Sequence, residues 1–161
     1  MERTRTYEWQ DPTIGAKQAL QMNGIDYLHA MLKGEIPAPP LMHTLDFNAE
    51  RFEKGDCAFS FQSQEFHYNP IACMHGGVIT TLLDSAMGCV LQSVLPQGTG
   101  YTTLELKVNF LKAITTKTGK LVATGKIIHA GSRTALVEAQ LTDENNVVYA
   151  HGVSTCMILK F

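Results

Sequence analysis

A short polar motif in front of an apolar segment carries residue types that could polarise a carbonyl group. The stretch Asn69-Pro70-Ile71-Ala72-Cys73-Met74-His75-Gly76-Gly77 leads into residues 78–95, whose apolar side chains fall nearly all round a helix. This pattern predicts a buried helix. Asp84 interrupts it, and a carboxylate in such a helix costs free energy unless a bonded partner or a catalytic role compensates.

The two glycines at the start of this helix are suited to hold an oxygen atom. The first N–H groups of a helix lack intrahelical partners and carry partial positive charge. Because Gly76 and Gly77 have no Cβ, a carbonyl oxygen can approach these N–H groups closely and be polarised by them. The alternative is that the glycine pair only bends the chain into the helix.

The spacing of Asp84 from Gly76 argues against a site within one chain. Eight residues of helix are roughly 12 Å along the axis, and Asp84 points sideways while the first N–H groups point along the axis. Two antiparallel copies of the helix would bring Gly76 of one chain near Asp84 of the other. The alternative is that Asp84 is a structural acid bonded to a buried partner.

His75 and Asn69 each allow more than one role. His75 could cap the helix, donate to a carbonyl or order the loop, and a nucleophilic pair of Cys73 with His75 has little support from the pattern. Asn69 could orient a water or Asp84, because an amide both donates and accepts. It could equally form a turn before Pro70.

Composition and charge limit the classes of protein and of binding partner that fit this chain. The 161 residues fit one domain, 45% are hydrophobic, and a net charge of −2 gives no electrostatic reason to bind nucleic acid. The lysines at 107–112 and 117–120 are interpreted as solvated strand ends and a turn, with a phosphorylated ligand as the alternative. Four dispersed cysteines predict neither a metal cluster nor a disulfide framework, and no membrane span or secretory signal is visible. We expect a cytoplasmic protein.

The periodicities predict an α+β fold in which a sheet wraps the central helix. Tight turns at 130–132 and 143–146 favour consecutive antiparallel hairpins, so we expect a four-stranded meander in the C-terminal half, with one or two strands before it. Helices are predicted over 17–33 and 76–95, and strands over 43–48, 51–62, 103–110, 120–129, 133–142 and 147–159.

Together these motifs resemble the hotdog-fold acyl-CoA thioesterases of the PaaI type, over roughly residues 17–159. The resemblance rests on Asn69…His75-Gly76-Gly77-x6-Asp84, Thr103-x-Glu105-x-Lys107-x-Asn109-Phe110, Gly131-x-Arg133-Thr134-Ala135, and the leading stretch from Leu28 to Pro40. It implies a single hotdog domain over 1–161, with a helical N-terminal extension over 1–36 and a sheet of five or six strands. It further implies hydrolysis of an acyl-CoA thioester by a homodimer or a dimer of dimers, with no cofactor or metal.

The resemblance also implies roles for individual residues. Gly76 would polarise the thioester carbonyl, while Asp84 from the partner subunit would act as general base or nucleophile. Asn69 would position the water or the acid, His75 would support the carbonyl or the loop, and Thr103 would assist the water.

Further residues are expected to bind the substrate. Coenzyme A's nucleotide end would be held at the surface by Gly131, Ser132 and Arg133. The remaining expected substrate-binding residues are Gly77, Thr80, Leu83 and Met87. Helix 17–33 and the partner chain are expected to complete the acyl pocket. Related sequences often have a glycine where this chain has Ala72-Cys73-Met74, so we expect a different loop shape there.

Two other functions fit the same fold. A non-catalytic module that binds acyl-CoA or an acyl carrier would not need a buried acid beside a polarising helix start. A hotdog-fold dehydratase would need an acid and a histidine facing each other, whereas His75 precedes the helix that holds Asp84.

Overall fold

The computed structural model describes residues 2–161, in which one six-stranded antiparallel sheet curves around a central helix. The helices are α1 (Pro12–Ala19), α2 (Gly24–Leu32), α3 (Pro40–Leu45) and α4 (Gly76–Gln92). The strands are β1 (Phe47–Glu53), β2 (Asp56–Gln62), β3 (Thr99–Phe110), β4 (Lys120–Ala130), β5 (Thr134–Asp143) and β6 (Val148–Lys160). The spatial order of the strands is β1-β2-β4-β5-β6-β3. The predicted α+β hotdog architecture, with a central helix wrapped by the sheet, is confirmed.

The central helix α4 is buried as predicted, and it contacts every strand of the sheet. The sheet approaches it closely at Gly125 of β4, where a Cβ atom would lie 2.3 Å from the Ala86 carbonyl oxygen. Only glycine permits this approach, because any side chain would overlap the helix backbone. The helix ends at Ser93, whose hydroxyl donates to the Val90 carbonyl and accepts from the Gly55 N–H.

The predicted four-stranded meander is wrong at one strand. β4, β5 and β6 do form consecutive hairpins, but β3 pairs with β6 at the sheet edge and β4 pairs with β2. The connection between β3 and β4 is too long for a tight turn. It is anchored by the buried Ile114, whose carbonyl accepts the Met74 N–H at 2.8 Å.

The N-terminal elements differ from the prediction in three places. The helix expected over 17–33 is two helices, because Asn23 caps α2 and breaks the chain after α1. The strand expected over 43–48 is the helix α3 followed by the start of β1. The strand expected over 51–62 is a hairpin that turns at Gly55, which has a φ of 79°. In residues 2–161 no helix is long and apolar enough to span a bilayer.

Candidate active site

The start of α4 presents one free backbone donor. The Nδ1 atom of His75 accepts the Gly77 N–H at 2.9 Å, and the His75 carbonyl accepts the Val78 N–H at 3.0 Å. The Gly76 N–H has no hydrogen-bond partner among residues 2–161. A Cβ at Gly76 would lie 3.0 Å from the Phe110 ring, so glycine keeps the approach open. His75 is therefore the helix cap, one of its three predicted roles, and it leaves the Gly76 N–H for a ligand.

The loop before α4 is held by Asn69. Its Oδ1 atom accepts from the Ile71 N–H at 3.0 Å and the Cys73 N–H at 3.3 Å, and its own N–H donates to the Cys73 carbonyl at 2.8 Å. Ala72 lies in the left-handed region with a φ of 58°, a conformation that favours glycine. Asn69 is thus a turn former within its own chain, as the second prediction for it stated.

These residues line a first cleft of about 310 Å³ beside the helix start. The cleft contains the Asn69 side chain, the thiol-bearing Cys73 and the glycine with the free N–H. Its other lining residues are Met74, Ile79, Phe110, Leu111, Lys112, Ala113 and Ile114. A carbonyl oxygen that entered the cleft could accept the Gly76 N–H.

Asp84 and Thr103 meet in a second cleft. The Thr103 hydroxyl donates to Oδ1 of Asp84 at 3.0 Å, and both side chains are half-buried. This cleft, of about 550 Å³, lies between α4, β3 and the N-terminal helices. Its other lining residues are Ala19, Tyr27, Leu28, Met31, Pro39, Cys89, Gln92, Tyr101 and Thr102. One oxygen of the Asp84 carboxylate thus accepts the Thr103 hydroxyl, and the open space of the cleft lies beside the carboxylate.

The two clefts share no lining residue and lie towards opposite ends of β3. Thr103 lies in the first half of the strand and Phe110 ends it, so about 23 Å of strand separates them. One chain therefore does not bring the Gly76 donor and the Asp84 carboxylate to a single reacting carbon. The separation predicted from helix geometry is present.

The chain resembles known proteins in the region that contains both clefts. The sequence pattern of the thioesterase superfamily matches residues 73–150, which include Gly76, Asp84 and Thr103. Over this region the chain is similar to the thioesterase superfamily. The predictions of a hotdog-fold thioesterase and of a thioester hydrolase are confirmed.

Three known proteins are similar to this thioesterase in sequence or in fold. It is 26% identical over 160 residues to the medium/long-chain acyl-CoA thioesterase YigI of Salmonella typhimurium, covering 90% of this chain and 97% of that protein. The structure of smu.793 from Streptococcus mutans, bound to acetyl CoA, is 28% identical with a TM-score of 0.64, covering 71% of this chain and 89% of that one. The Escherichia coli PaaI protein from the phenylacetic acid degradation operon shares the fold with a TM-score of 0.73 at 18% identity, covering 85% of this chain and 94% of that one.

The other residues expected to bind substrate in this thioesterase fall in three places. Leu83 and Met87 are fully buried against Gly152 of β6, so they belong to the core and not to the cleft. The Thr80 hydroxyl donates to the Gly76 carbonyl at 2.8 Å, which ties it to the helix start. Gly77 is exposed on the first turn of the helix.

The predicted coenzyme A segment, Gly131–Arg133, is the exposed turn between β4 and β5. It is fixed by the Gly131 N–H, which donates to the Thr134 carbonyl at 2.9 Å, and by the Arg133 carbonyl, which accepts the Ile158 N–H at 2.8 Å. Thr134 and Thr102 both pair with Met157, so this turn lies at the same end of the sheet as the second cleft.

Sequence reasoning missed three residues of the second cleft: Cys89, Gln92 and Tyr101. Gly88 is the signal that could have revealed them, because a glycine in mid-helix marks a close approach. A Cβ there would lie 1.9 Å from the Tyr101 hydroxyl oxygen.

The buried thiols of this thioesterase are poorly suited to nucleophilic attack. Burial raises the pKa of Cys57 to about 12 and also raises the pKa of Cys89. Both thiols stay protonated at neutral pH, and a protonated thiol is a poor nucleophile. Across residues 2–161, no group of three histidine, cysteine or acidic side chains is arranged to hold a metal ion. The carboxylate of Asp84 is the reactive group best placed in the second cleft.

Proposed function

We propose that the protein hydrolyses acyl-CoA thioesters to a carboxylic acid and coenzyme A, at sites that two protomers share. The names of YigI, an acyl-CoA thioesterase, and of smu.793, bound to acetyl CoA, support this substrate class. The observation that carries the proposal is that the two polar groups needed for the reaction are divided between two clefts. A free N–H and a carboxylate, which together can perform thioester hydrolysis, lie in separate clefts of one chain.

Strand β3 supplies the surface on which two protomers would join. It is twelve residues long and, within residues 2–161, pairs with β6 on one side only. Such an edge invites pairing with another strand, and Leu104 and Phe110 on it are more than half exposed. A twofold axis at Leu106 would set Thr103 opposite Asn109 of the partner subunit, next to the end of that strand. That register joins each Asp84 cleft to the Gly76 cleft of the other chain.

The chemistry follows from this pairing. The Gly76 N–H donates to the thioester oxygen and stabilises the negative charge that develops on it. In the partner subunit, Thr103 donates to one oxygen of Asp84. The other oxygen of that carboxylate accepts a proton from water as the water attacks the carbonyl carbon. The tetrahedral intermediate collapses, the carbon–sulfur bond breaks, and the leaving thiolate of coenzyme A takes up the proton that Asp84 accepted from water. His75 and Asn69 hold the donor in place and contact no reacting atom.

The nucleotide end of coenzyme A would lie along the turn 131–133. The Arg133 side chain there is exposed and can pair with phosphate oxygens. The turn lies at the sheet end that carries Thr102, beside the cleft of Asp84.

The decisive experiment replaces Asp84. The Asp84→Asn variant keeps the side-chain shape and can still bond to Thr103, but it cannot accept the proton of water. We expect it to lose about a thousandfold in kcat for release of coenzyme A while remaining folded and dimeric. The matched control is Glu144→Gln, which removes an exposed carboxylate from the β5–β6 turn and should leave the rate unchanged.

Two results would overturn the proposal. Undiminished turnover by Asp84→Asn would remove the carboxylate from the mechanism. Tight binding of acyl-CoA by the unaltered protein, without release of coenzyme A, would leave a binding module on the same fold. A single turnover in ¹⁸O-labelled water separates general base from nucleophile, because only a nucleophilic Asp84 would itself acquire the label.

A further inference from the structure

A buried histidine, His67, lies next to the helix cap His75 and lines neither of the two clefts. It ends the short 3₁₀ turn Glu65–His67, and only 2% of its surface is exposed. Its ring contacts those of Phe61 and Phe66, with centroids 4.8 and 4.1 Å away. Polar ring atoms in such surroundings cost free energy unless they are hydrogen-bonded.

The two ring nitrogens of His67 have different hydrogen-bonding roles. Nδ1 accepts the Gln64 N–H at 2.9 Å, so this nitrogen carries no proton. Nε2 therefore carries the proton, and it donates to the Leu45 carbonyl oxygen at 2.9 Å. Both bonds require a neutral ring, because a second proton would set an N–H on Nδ1 against the Gln64 N–H. The neutral ring thus joins the end of α3 to the 3₁₀ turn.

The backbone of the same residue reaches the start of α4. The His67 carbonyl accepts the His75 N–H at 2.8 Å, while the Met74 N–H donates to the Ile114 carbonyl on the other side. The segment that leads into the helix is therefore held from two sides. One planar peptide unit separates the anchored His75 from the free Gly76 N–H, so a shift of the His67 carbonyl reorients that donor.

On the basis of the proposed function, we infer that His67 is a positioning residue, whose neutral ring fixes the carbonyl that holds His75 and thereby aims the Gly76 N–H at the thioester oxygen. A donor stabilises developing charge best when it is in place beforehand. The same bonds make the helix start sensitive to acid. A proton on Nδ1 breaks the bond from Gln64, which releases the 3₁₀ turn and the carbonyl that it carries.

The surroundings of the ring determine when this proton binds. Burial lowers the pKa of His67 below its ordinary value, whereas the bond to the Leu45 carbonyl raises it. Two charged groups face the ring: Arg5 of the N-terminal segment lowers the pKa, and Asp46 at the end of α3 raises it. The two phenylalanine rings carry no charge. The histidine is therefore neutral at pH 7.5 and takes up its proton only below about pH 6.5.

NMR spectroscopy of the unaltered protein tests the inference without substrate. As pH falls from 7.5 to 5, the Gly76 amide resonance should shift with the same midpoint as the ring nitrogens of His67. His75→Asn removes the other nearby imidazole but keeps an oxygen that can cap the helix, so the shift should persist. His67→Gln can bond to both partners but cannot titrate, so the shift should disappear. A Gly76 resonance that follows His75, or does not titrate, would overturn the inference.

Kinetics distinguish positioning from a general structural role. His67→Phe keeps the ring contacts without either bond, and at pH 7.5 it should lower kcat about tenfold for every acyl-CoA, with little change in KM. His67→Gln should restore most of that rate and lose less of it between pH 7.5 and pH 5 than the unaltered enzyme does. His43→Asn removes an exposed ring from α3 and should leave the pH profile unchanged.

The outcomes separate this inference from the proposed function. Normal kcat in a folded His67→Phe, or an undiminished acid loss in His67→Gln, would remove His67 from the control of the donor and leave the thioesterase proposal standing. If His67→Phe does not fold, the glutamine variant and the titration of the unaltered protein decide the question. Failure of the unaltered protein to release coenzyme A from any acyl-CoA would overturn the proposed function itself.

Discussion

The two clefts are built in different ways. In the first, backbone groups dominate: the Gly76 N–H is the free donor, and the loop around it is closed by backbone bonds and the Asn69 side chain. In the second, side chains dominate: Asp84, Thr103 and Tyr101 project from α4 and β3 under the cover of α2. A backbone donor can change position only if the loop or the helix moves. A wall of side chains can change with each substitution.

This difference separates the fixed part of the reaction from its variable part. In the proposed reaction every thioester presents the same carbonyl, and the first cleft would bind it through a backbone N–H, a group that side-chain substitution does not remove. Acyl groups differ, and in the same proposal the second cleft would bind them through its side chains. We therefore expect substitutions at the first cleft to lower the rate for all substrates equally. Substitutions in the second cleft away from Asp84 and Thr103 should change the ranking of substrates.

The largest expected effect comes from combining one defect in each cleft. Gly76→Ala must displace the Phe110 ring, which a Cβ would approach to 3.0 Å, and we expect a loss of about a hundredfold in kcat. Mixed after subunit exchange with Asp84→Asn, it should recover about a quarter of the normal activity, because half the dimers then contain one intact site of two. Steady-state rates of the mixture measure this. Continued inactivity would show that the clefts do not combine across chains.

A charge on the edge strand should separate the clefts of the two chains. Leu104 is a bulge residue on β3 and is 53% exposed, so Leu104→Glu should spare the fold but disfavour pairing of two β3 strands. We expect a smaller species in sedimentation and a fall of at least about tenfold in activity at low protein concentration. The bulge residue Ile128 of β4 is similarly exposed, at 48%, and Ile128→Glu is the control. Equal effects of the two substitutions would count against β3 as the interface.

The bond between Thr103 and Asp84 should contribute more modestly. Thr103→Ala removes the hydroxyl that orients the carboxylate, and we expect kcat to fall about tenfold with all substrates affected alike. Thr103→Ser retains the hydroxyl and should retain most of the rate. A panel of acyl-CoAs assayed with both variants distinguishes orientation of the base from recognition of the acyl group. A change in substrate ranking would assign Thr103 to recognition instead.

The smallest effect concerns stability and involves a buried histidine, His67, next to the helix cap His75. Burial lowers the pKa of His67, whose Nδ1 accepts the Gln64 N–H at 2.9 Å and whose carbonyl accepts the His75 N–H. Because the unfolded chain binds the proton more readily, this histidine makes stability fall as pH drops below about 6.5. Above that pH its contribution is constant.

Urea unfolding at pH 7.5 and pH 5 measures this dependence. His67→Gln should reduce the difference between the two midpoints, although it lowers both. His129→Asn, which removes an exposed histidine, should leave the difference as it is. An unchanged difference in His67→Gln would show that other groups set the acid sensitivity.

The sequence predicted the centre of the molecule better than its periphery. The helix after His75-Gly76-Gly77 and the three C-terminal hairpin strands have strong periodicity and clear turn residues, so their assignment needed no tertiary information. The position of β3 could not be predicted, because a strand's neighbours depend on where the chain crosses the sheet. At residues 43–48 only Leu45 and Phe47 are apolar, too few to distinguish a strand from a helix, and the prolines before them start a helix turn.

The candidate site shows the same contrast between what the sequence predicts and what only the fold reveals. The motif pointed to the start of α4 as a place that could hold an oxygen atom, but it left three roles open for His75, and the structure shows the cap. Leu83 and Met87 were assigned to the pocket from residue type, but the face of α4 on which they lie packs against β6. The second cleft brings together residues from α4 and β3, and only the folded chain shows that Tyr101 rests on Gly88.

Ala72 has a consequence for how the helix start tolerates change. It holds a left-handed backbone conformation, which costs an alanine about 1 kcal/mol relative to glycine, in a loop that Asn69 closes with bonds on both sides. The loop therefore contains a strained backbone conformation that the Asn69 hydrogen bonds hold in place. Positions 69 and 72 should evolve as a pair, because a glycine at 72 would remove the strain and allow a residue with weaker hydrogen bonds at 69.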